Sequence, residues 1–211
     1  GPQSVLYGSE AIGGVIHIFT RRGSPGLHSE ATLEAGSFGT VAGGGALRGG
    51  TEAVDYAISV NAVRSGGTNP ARAGNEDDGY RNKTVNGSAR WKLAPSFTLD
   101  GALRWRENHA QFDPQDFSSP ASPTFGLVID GDRVASTRQL DARLRGRLTT
   151  FNDRLTHEFG ITRTKTKADS FNTGVFSSGS EGGRTRYDWQ GSLKFGSSAM
   201  PQVMTLALDG E

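Results

Sequence analysis

The sequence of 211 residues predicts an all-β fold of antiparallel strands. Three observations predict it. Segments of about ten residues alternate between apolar and polar side chains, the links between them are short and long in turn, and the composition is rich in glycine but low in hydrophobic residues. Glycine contributes 30 residues, and hydrophobic residues make up only 34%. Alternation with a period of two is typical of strands, because successive side chains point to opposite faces of a sheet.

Composition and charge exclude several classes of protein. The formal net charge is +1, whereas a nucleic-acid-binding protein normally has a clear excess of lysine and arginine, so we expect no nucleic-acid partner. Cysteine is absent, which excludes a disulfide scaffold and a thiolate metal site. No stretch approaches the roughly 18 apolar residues of a membrane-spanning helix, and no signal peptide is visible. We expect both ends of the chain to be cut, so the missing signal peptide carries little weight.

Five segments show the alternation most clearly, and four weaker segments bring the expected number of strands to about nine. No position on the apolar face of the five clear segments is charged, whereas more than half of the intervening positions are. The clear segments are 54–62, 85–93, 97–105, 140–148 and 187–195. The weaker ones are 29–36, 40–48, 154–165 and 203–209.

The length of these segments and the rhythm of their links indicate a membrane barrel. Strands in globular proteins are mostly about five or six residues long, whereas a tilted strand needs about 9–11 residues to cross a bilayer. Short turns on one side and long loops on the other are typical of antiparallel transmembrane β-barrels. The predicted short links are 49–52, 94–96, 151–153 and 196–199, and the predicted long links are 65–80, 108–132 and 168–183. Arg163 interrupts an apolar face, so we expect it near the outer rim, where a charge costs little.

The N-terminal segment differs from the remainder of the chain. It predicts a short helix that begins at Pro2 and ends at Gly8, a glycine-rich turn, a buried strand over 15–20, and a linker over 21–26. The string GPQSVLYGSEAIGGVIHIFT strongly resembles the end of the plug domain of TonB-dependent outer-membrane receptors. The residues that match the family's motif are Gly1, Pro2, Ser4, Tyr7, Gly8, Ser9, Gly13 and Gly14.

This resemblance implies an architecture and a cellular location. Residues 1–26 would be the end of a small α/β plug domain with its linker, and residues 27–211 the first part of a transmembrane β-barrel of 22 strands, which is the size of plugged outer-membrane transporters. The protein would lie in the bacterial outer membrane, in contact with outer-membrane lipid and lipopolysaccharide. With about nine strands, the fragment alone should not transport anything, because unpaired strand edges are not tolerated in lipid.

The resemblance also implies active uptake of a scarce, large ligand. A TonB-type energy-coupling protein would bind an N-terminal segment that is absent from this chain. Residues 75–82 resemble the cobalamin-receptor branch, which slightly favours cobalamin over a ferric siderophore. Two alternatives stay open: a small passive outer-membrane barrel or adhesin, and a soluble β-sandwich binding module. The plug motif argues against the passive barrel, and a sandwich would bury its apolar faces in a core.

Candidate site residues lie in the predicted long links. The ligand-binding candidates are Asp77, Asp78, Tyr80, Phe112 and Phe117. Asp113 and Asp116 are candidate calcium ligands, because oxygen-rich clusters suit Ca²⁺, although solvated loop charges explain them as well. Arginines at positions 143, 145 and 147 would either guide an anionic ligand or pair with acidic residues, and the near-neutral net charge favours pairing. Four scattered histidines and the absence of nucleophile or phosphate-binding motifs predict neither an enzyme nor a required cofactor.

Overall fold

The computed structural model describes residues 23–74, 76–197 and 200–211, and these form a single antiparallel sheet of nine strands. Each strand pairs with the next one along the chain, so the spatial order is the sequence order. The strands are β1 (Gly26–Gly36), β2 (Thr40–Gly50), β3 (Val54–Ser65), β4 (Tyr80–Ala94), β5 (Phe97–Phe112), β6 (Arg133–Thr150), β7 (Leu155–Asn172), β8 (Val175–Ser197) and β9 (Met200–Gly210). The prediction of about nine antiparallel strands is confirmed.

Most strands extend beyond the segments that the alternation predicts. The five clear segments lie inside β3, β4, β5, β6 and β8. The strand β6, for example, is 18 residues long. The extension is mainly toward the edge of the sheet that carries links 66–79 and 113–132, which we call the long-loop end. The opposite edge carries links 51–53, 95–96 and 151–154 and is called the short-turn end. Alternation fades toward the long-loop end because polar and charged residues occupy both faces of the strands there.

The two faces of the sheet differ in chemistry. The apolar face carries Ile58, Val60, Leu103, Leu144 and their register partners, and these large side chains are about half exposed, with 50% for Ile58 and 51% for Leu103. The polar face carries the intervening residues. Among the described residues, no large side chain is fully buried. The apolar faces therefore do not meet across a core, and the soluble β-sandwich alternative is wrong for this part of the chain.

One predicted long link is wrong. Residues 168–183 do not form a loop, because β7 and β8 continue as a paired hairpin that is closed by Thr173 and Gly174. Both residues have positive φ angles, 47° and 74°, which is typical of the two-residue turns that fit the twist of antiparallel strands. The sequence predicts a loop here because serine and glycine residues hide the alternation of apolar and polar side chains. Backbone pairing continues without it, since ladder hydrogen bonds need no apolar face.

The N-terminal predictions lie outside the described residues. They comprise the helix over 1–8, the turn, the strand over 15–20 and most of the linker. The first described strand, β1, begins at Gly26, and the division into a plug domain and a barrel at residue 27 stays a prediction. Within the described residues, none of the elements is a helix long and apolar enough to span a membrane.

Candidate functional site

The polar face holds a network of ion pairs in its middle. Arg145 lies 3.4 Å from carboxylate oxygens of both Glu158 and Asp188, and Arg147 lies 3.1 Å from Glu158. Arg90 pairs with Asp100 at 2.7 Å on the neighbouring strands β4 and β5. The arginines at 145 and 147 are therefore paired with carboxylates of the same face. This arrangement supports the pairing interpretation for Arg145 and Arg147, whereas Arg143 forms no ion pair within the described residues.

An aromatic and cationic group lies where the polar face meets the long-loop end. Tyr80 pairs with Ala110, and Phe112 lies two residues further along the same face of β5, so Tyr80 and Phe112 are diagonal neighbours. Phe112 in turn pairs with Arg133 at the start of β6. Tyr80 is 38% exposed and Phe112 is 40% exposed. The three side chains together offer two rings and one guanidinium to a bound molecule.

The link 113–132 folds on itself around a carboxylate. Asp116 is 7% exposed, and its side chain accepts hydrogen bonds from the hydroxyls of Ser118 at 2.6 Å, Ser122 at 2.8 Å and Thr124 at 2.5 Å. These hydrogen bonds, with one from the backbone N–H of Ser118, hold the pKa of the Asp116 carboxyl well below its usual range. Asp116 therefore organises the loop from within, and its two oxygens are already hydrogen-bonded.

A second acidic group in the same region has the opposite character. Glu76, Asp78 and Asp113 each offer an oxygen, and these oxygens lie within 4.8 Å of one another. Burial, followed by repulsion from Asp113, raises the pKa of Asp78, and burial together with nearby aspartates raises the pKa of Glu76. Asp78 Oδ1 and Asp113 Oδ2 are buried and have no hydrogen-bond partner within the described residues. Oxygen donors of this kind suit a hard cation such as Ca²⁺.

The structure divides the candidate residues into separate groups. It brings Asp78 together with Asp113, but it places Asp116 in a hydrogen-bond cluster of its own. Asp77 is exposed and lies outside the group of three carboxylates. Phe117 is 65% exposed and makes an edge-to-face contact with Phe125, with ring centroids 5.7 Å apart.

Sequence reasoning missed two site residues. Glu76 was not predicted as a site residue although it lies within residues 75–82, and Arg133 was not predicted because it lies just beyond the predicted link 108–132, where no motif marks it. Arg133 is the first residue of β6, and its position opposite Phe112 becomes visible only when the register of β5 and β6 is known. A search for basic residues next to predicted loop aromatics would have suggested it.

Comparison with solved structures shows the class of fold. The sheet is similar in fold to part of two solved siderophore receptors. The siderophore receptor PirA from Acinetobacter baumannii matches 99% of this chain with a TM-score of 0.74 and 16% sequence identity. The ferric enterobactin receptor PfeA from Pseudomonas aeruginosa, solved as a mutant in complex with enterobactin, matches 98% of this chain with a TM-score of 0.64 and 17% identity.

The extent of these matches is unequal between the chains. This chain spans 33% of the PirA chain and 34% of the PfeA chain. At such low identities the matches concern the fold, and they agree with the prediction of an antiparallel β-barrel fragment. No protein-family model matches the sequence.

Proposed function

We propose that this chain is part of a TonB-dependent outer-membrane receptor that takes up a ferric siderophore. The observation that carries the proposal is the likeness of the whole described sheet to two siderophore receptors. The exposed apolar face supports it, because a sheet that presents half-exposed aliphatic side chains to its surroundings suits contact with lipid acyl chains. In this orientation the polar face lines the lumen, and the long-loop end faces the outside of the cell.

The proposed ligand differs from the cobalamin that the resemblance of residues 75–82 slightly favoured. Both structural relatives are named for siderophores, and nothing in the described residues favours cobalamin. The proposed contact residues are Tyr80, Phe112 and Arg133. Aromatic rings stack on flat aromatic iron-chelating groups, and a guanidinium binds the negative charge of a ferric complex. Phe117 would extend the apolar mouth from the loop 113–132.

Two further parts of the proposal concern partners and chemistry. Energy for uptake would come from a TonB-type protein that binds a segment outside this chain, and residues 1–26 would be the end of the plug domain. Catalysis has no role in this proposal, because uptake changes the location of the ligand and leaves its covalent bonds intact. Calcium at Glu76, Asp78 and Asp113 would order the long-loop end without contacting the siderophore.

The test is ligand binding by the full-length receptor in detergent. We expect a ferric siderophore to bind with a Kd in the micromolar range or tighter, and cobalamin not to bind. We further expect Arg133→Gln to weaken an anionic ferric catecholate about tenfold, which corresponds to about 1.4 kcal/mol, while a neutral ferric hydroxamate loses little. Phe195→Ala is the matched control for Phe112→Ala, because Phe195 is a half-exposed aromatic residue at the short-turn end.

Each outcome of this test has a defined meaning. Cobalamin binding would keep the receptor class and overturn the ligand. Failure of every ferric siderophore and of cobalamin would contradict the proposal and favour the passive barrel or adhesin. Equal losses of affinity for Phe112→Ala and Phe195→Ala would show that Phe112 does not contact the ligand.

A further inference from the structure

The apolar face changes its chemistry toward the long-loop end. On the short-turn side of this change, Val60 of β3 lies opposite Val85 of β4. On the long-loop side, Arg64 of β3 lies opposite Arg81 of β4. Lys83 lies two residues from Arg81 on the same face. All three cationic side chains are exposed. We name this group the β3–β4 cation trio. It stands on the face that is otherwise apolar, in direct continuation of the aliphatic side chains.

In the part of the chain that the structure describes, the β3–β4 cation trio has no neutralising partner. Within the described residues, none of Arg64, Arg81 and Lys83 forms an ion pair. Glu107 lies opposite Lys83 in the register of β4 and β5, but its carboxylate pairs with Arg138 at 2.9 Å. Like charges directly opposite each other on neighbouring strands destabilise a sheet. Arg64 and Arg81 are in this arrangement, so an anion from outside the chain would stabilise it.

A second cationic group on the same face provides a contrast. Arg138, Lys165 and Lys167 also lie near the long-loop end, and each pairs with an acidic residue of the chain. Their partners are Glu107 at 2.9 Å, Glu181 at 2.6 Å and Asp169 at 3.3 Å. Near the long-loop end of this face, Arg138, Lys165 and Lys167 therefore have acidic partners, whereas the β3–β4 cation trio has none within the described residues. The difference points to an external anion at the β3–β4 cation trio.

The position of the trio along the strands indicates the source of the anion. A tilted strand crosses the hydrocarbon of a bilayer in about 9–11 residues. Counted from the short-turn end, Arg64 is the eleventh residue of β3, and Lys83 is the twelfth residue from that end of β4. These cations thus lie at the level of the lipid headgroups. Gly87 on the same face leaves open space beside Ile58 and Val85, where an acyl chain fits.

We propose that Arg64, Arg81 and Lys83 bind a phosphate group of an outer-leaflet lipid whose acyl chain lies along Val60 and Val85. Guanidinium groups bind phosphate oxygens in a bidentate manner, and lysine adds a point charge. The lipid is a phosphorylated glycolipid of the outer leaflet, and the site holds it at a fixed place on the barrel wall. This inference depends on the proposed function only through the outer-membrane location that the function implies.

The experiment uses the full-length receptor in neutral detergent micelles. Binding of a diphosphorylated glycolipid, of its dephosphorylated form and of inorganic phosphate is measured by native mass spectrometry or by fluorescence titration. The trio variant is R64Q/R81Q/K83Q. The matched control is R163Q/K165Q/K167Q, which removes the same number of cations from the same face and leaves the pair of Arg138 and Glu107 in place. We expect the trio variant to lose at least tenfold in affinity for the diphosphorylated lipid, and the control to lose less than threefold.

A charge-retaining variant and two further ligands serve as additional controls. R64K/R81K retains both charges and is expected to keep most of the affinity, which separates lost charge from faulty folding. The dephosphorylated lipid is expected to bind equally weakly to all variants, and inorganic phosphate alone is expected not to bind. Equal losses in trio and control, or tight binding of the dephosphorylated lipid, would overturn the proposal. Siderophore binding is measured on the same samples. If the unmodified receptor binds no siderophore, the result counts against the proposed function and leaves the lipid result unaffected.

Discussion

The two faces of one strand follow opposite rules. On β3, Val60 lies on the apolar face and is 49% exposed, while its neighbour Asn61 lies on the polar face, opposite Gly44 and Thr84. In a water-soluble sheet the apolar side chain would be covered and the polar one exposed. Here the apolar side chains stand uncovered, and the polar face carries the ion pairs in the middle of the sheet. The difference is the one that the proposed function requires, in which the surroundings of the sheet are apolar and its polar face lines an interior.

The largest expected effect comes from placing the same charge on each face. Val60→Arg puts a guanidinium among the exposed aliphatic side chains, and we expect it to lower the free energy of unfolding of the full-length receptor in lipid by about 2–4 kcal/mol. Asn61→Arg is the control, since its register partners Gly44 and Thr84 carry no charge, and we expect it to change stability little. Urea titration in lipid vesicles measures both. Equal destabilisation by the two variants would show that the faces are not distinguished by lipid.

A smaller effect is expected from the polar face itself. Arg145 lies between Glu158 and Asp188 and its side chain is 34% exposed. Arg145→Ala leaves two carboxylates near each other without that cation, so we expect a loss of about 1 kcal/mol, the upper range for partly exposed pairs. Arg147→Ala, which removes a more exposed cation with one partner, should cost less. A loss for Arg147→Ala that exceeds the loss for Arg145→Ala would contradict the network described for this face.

The smallest effect on global stability is expected at the boundary of the apolar face. Arg163 is the ninth residue of β7 from the short-turn end and donates a hydrogen bond to the hydroxyl of Thr185 at 2.6 Å. A charge near the membrane interface costs about 0–1 kcal/mol. Arg163→Leu should therefore leave stability unchanged or raise it by up to about 1 kcal/mol. A gain in stability of about 2–4 kcal/mol would place Arg163 in the hydrocarbon and away from the interface.

The long-loop end also contains two contrasting environments for carboxylates. Asp116 is fully hydrogen-bonded, whereas Glu76, Asp78 and Asp113 lie close to one another. Asp116→Asn removes the charge that three hydroxyls bind, and we expect faster proteolysis of the loop 113–132. Because the folded pKa of Asp116 lies below its ordinary value of 3.8, its stabilising contribution is present at neutral pH and declines as the pH falls below 3.8. Protease resistance that is unchanged in Asp116→Asn would contradict this role.

Removing a charge from the group of Glu76, Asp78 and Asp113 should have the opposite effect on the stability of the loops. The pKa of Asp78 in the folded protein is raised above the ordinary value of 3.8. Its contribution to stability is therefore favourable below pH 3.8 and is lost as the pH rises through the raised pKa. Asp78→Asn should therefore slow proteolysis of the loops at neutral pH, and Ca²⁺ should slow it in the unmodified receptor but not in the variant. Faster proteolysis of Asp78→Asn in the absence of calcium would contradict the repulsion inferred for this group.

Much of the fold was predictable because it depends on local periodicity. The faces of β3 to β6 follow directly from the alternation in sequence, and the tight links at 95–96 and 151–154 follow from turn residues between them. The hairpin of β7 and β8 was not predictable, because backbone pairing continued through residues 168–183 after the alternation had faded. Periodicity reports a contrast between the environments of the two faces, and residues 168–183 are mostly polar or small on both faces.

The candidate site was predictable only in its parts. Tyr80, Phe112 and Asp78 were singled out as loop residues, but their grouping depends on which strand ends are neighbours. Arg133 joins Phe112 through register, and Asp113 joins Asp78 across the two long links. A single sequence contains no information on such distances between loops. The plug motif of residues 1–14 lies outside the described residues, so its function stays a prediction.

The most direct test of the central claim is a cysteine scan along β3. The chain contains no cysteine, so single cysteines at 57 to 62 can carry a fluorescent label in a full-length receptor that has no other cysteine. The label is then exposed to a quencher attached to lipid acyl chains. The account predicts that labels at 58, 60 and 62 are quenched by the lipid, whereas labels at 57, 59 and 61 are quenched by a water-soluble agent. Equal lipid quenching at all six positions, or quenching at 57, 59 and 61 alone, would contradict it.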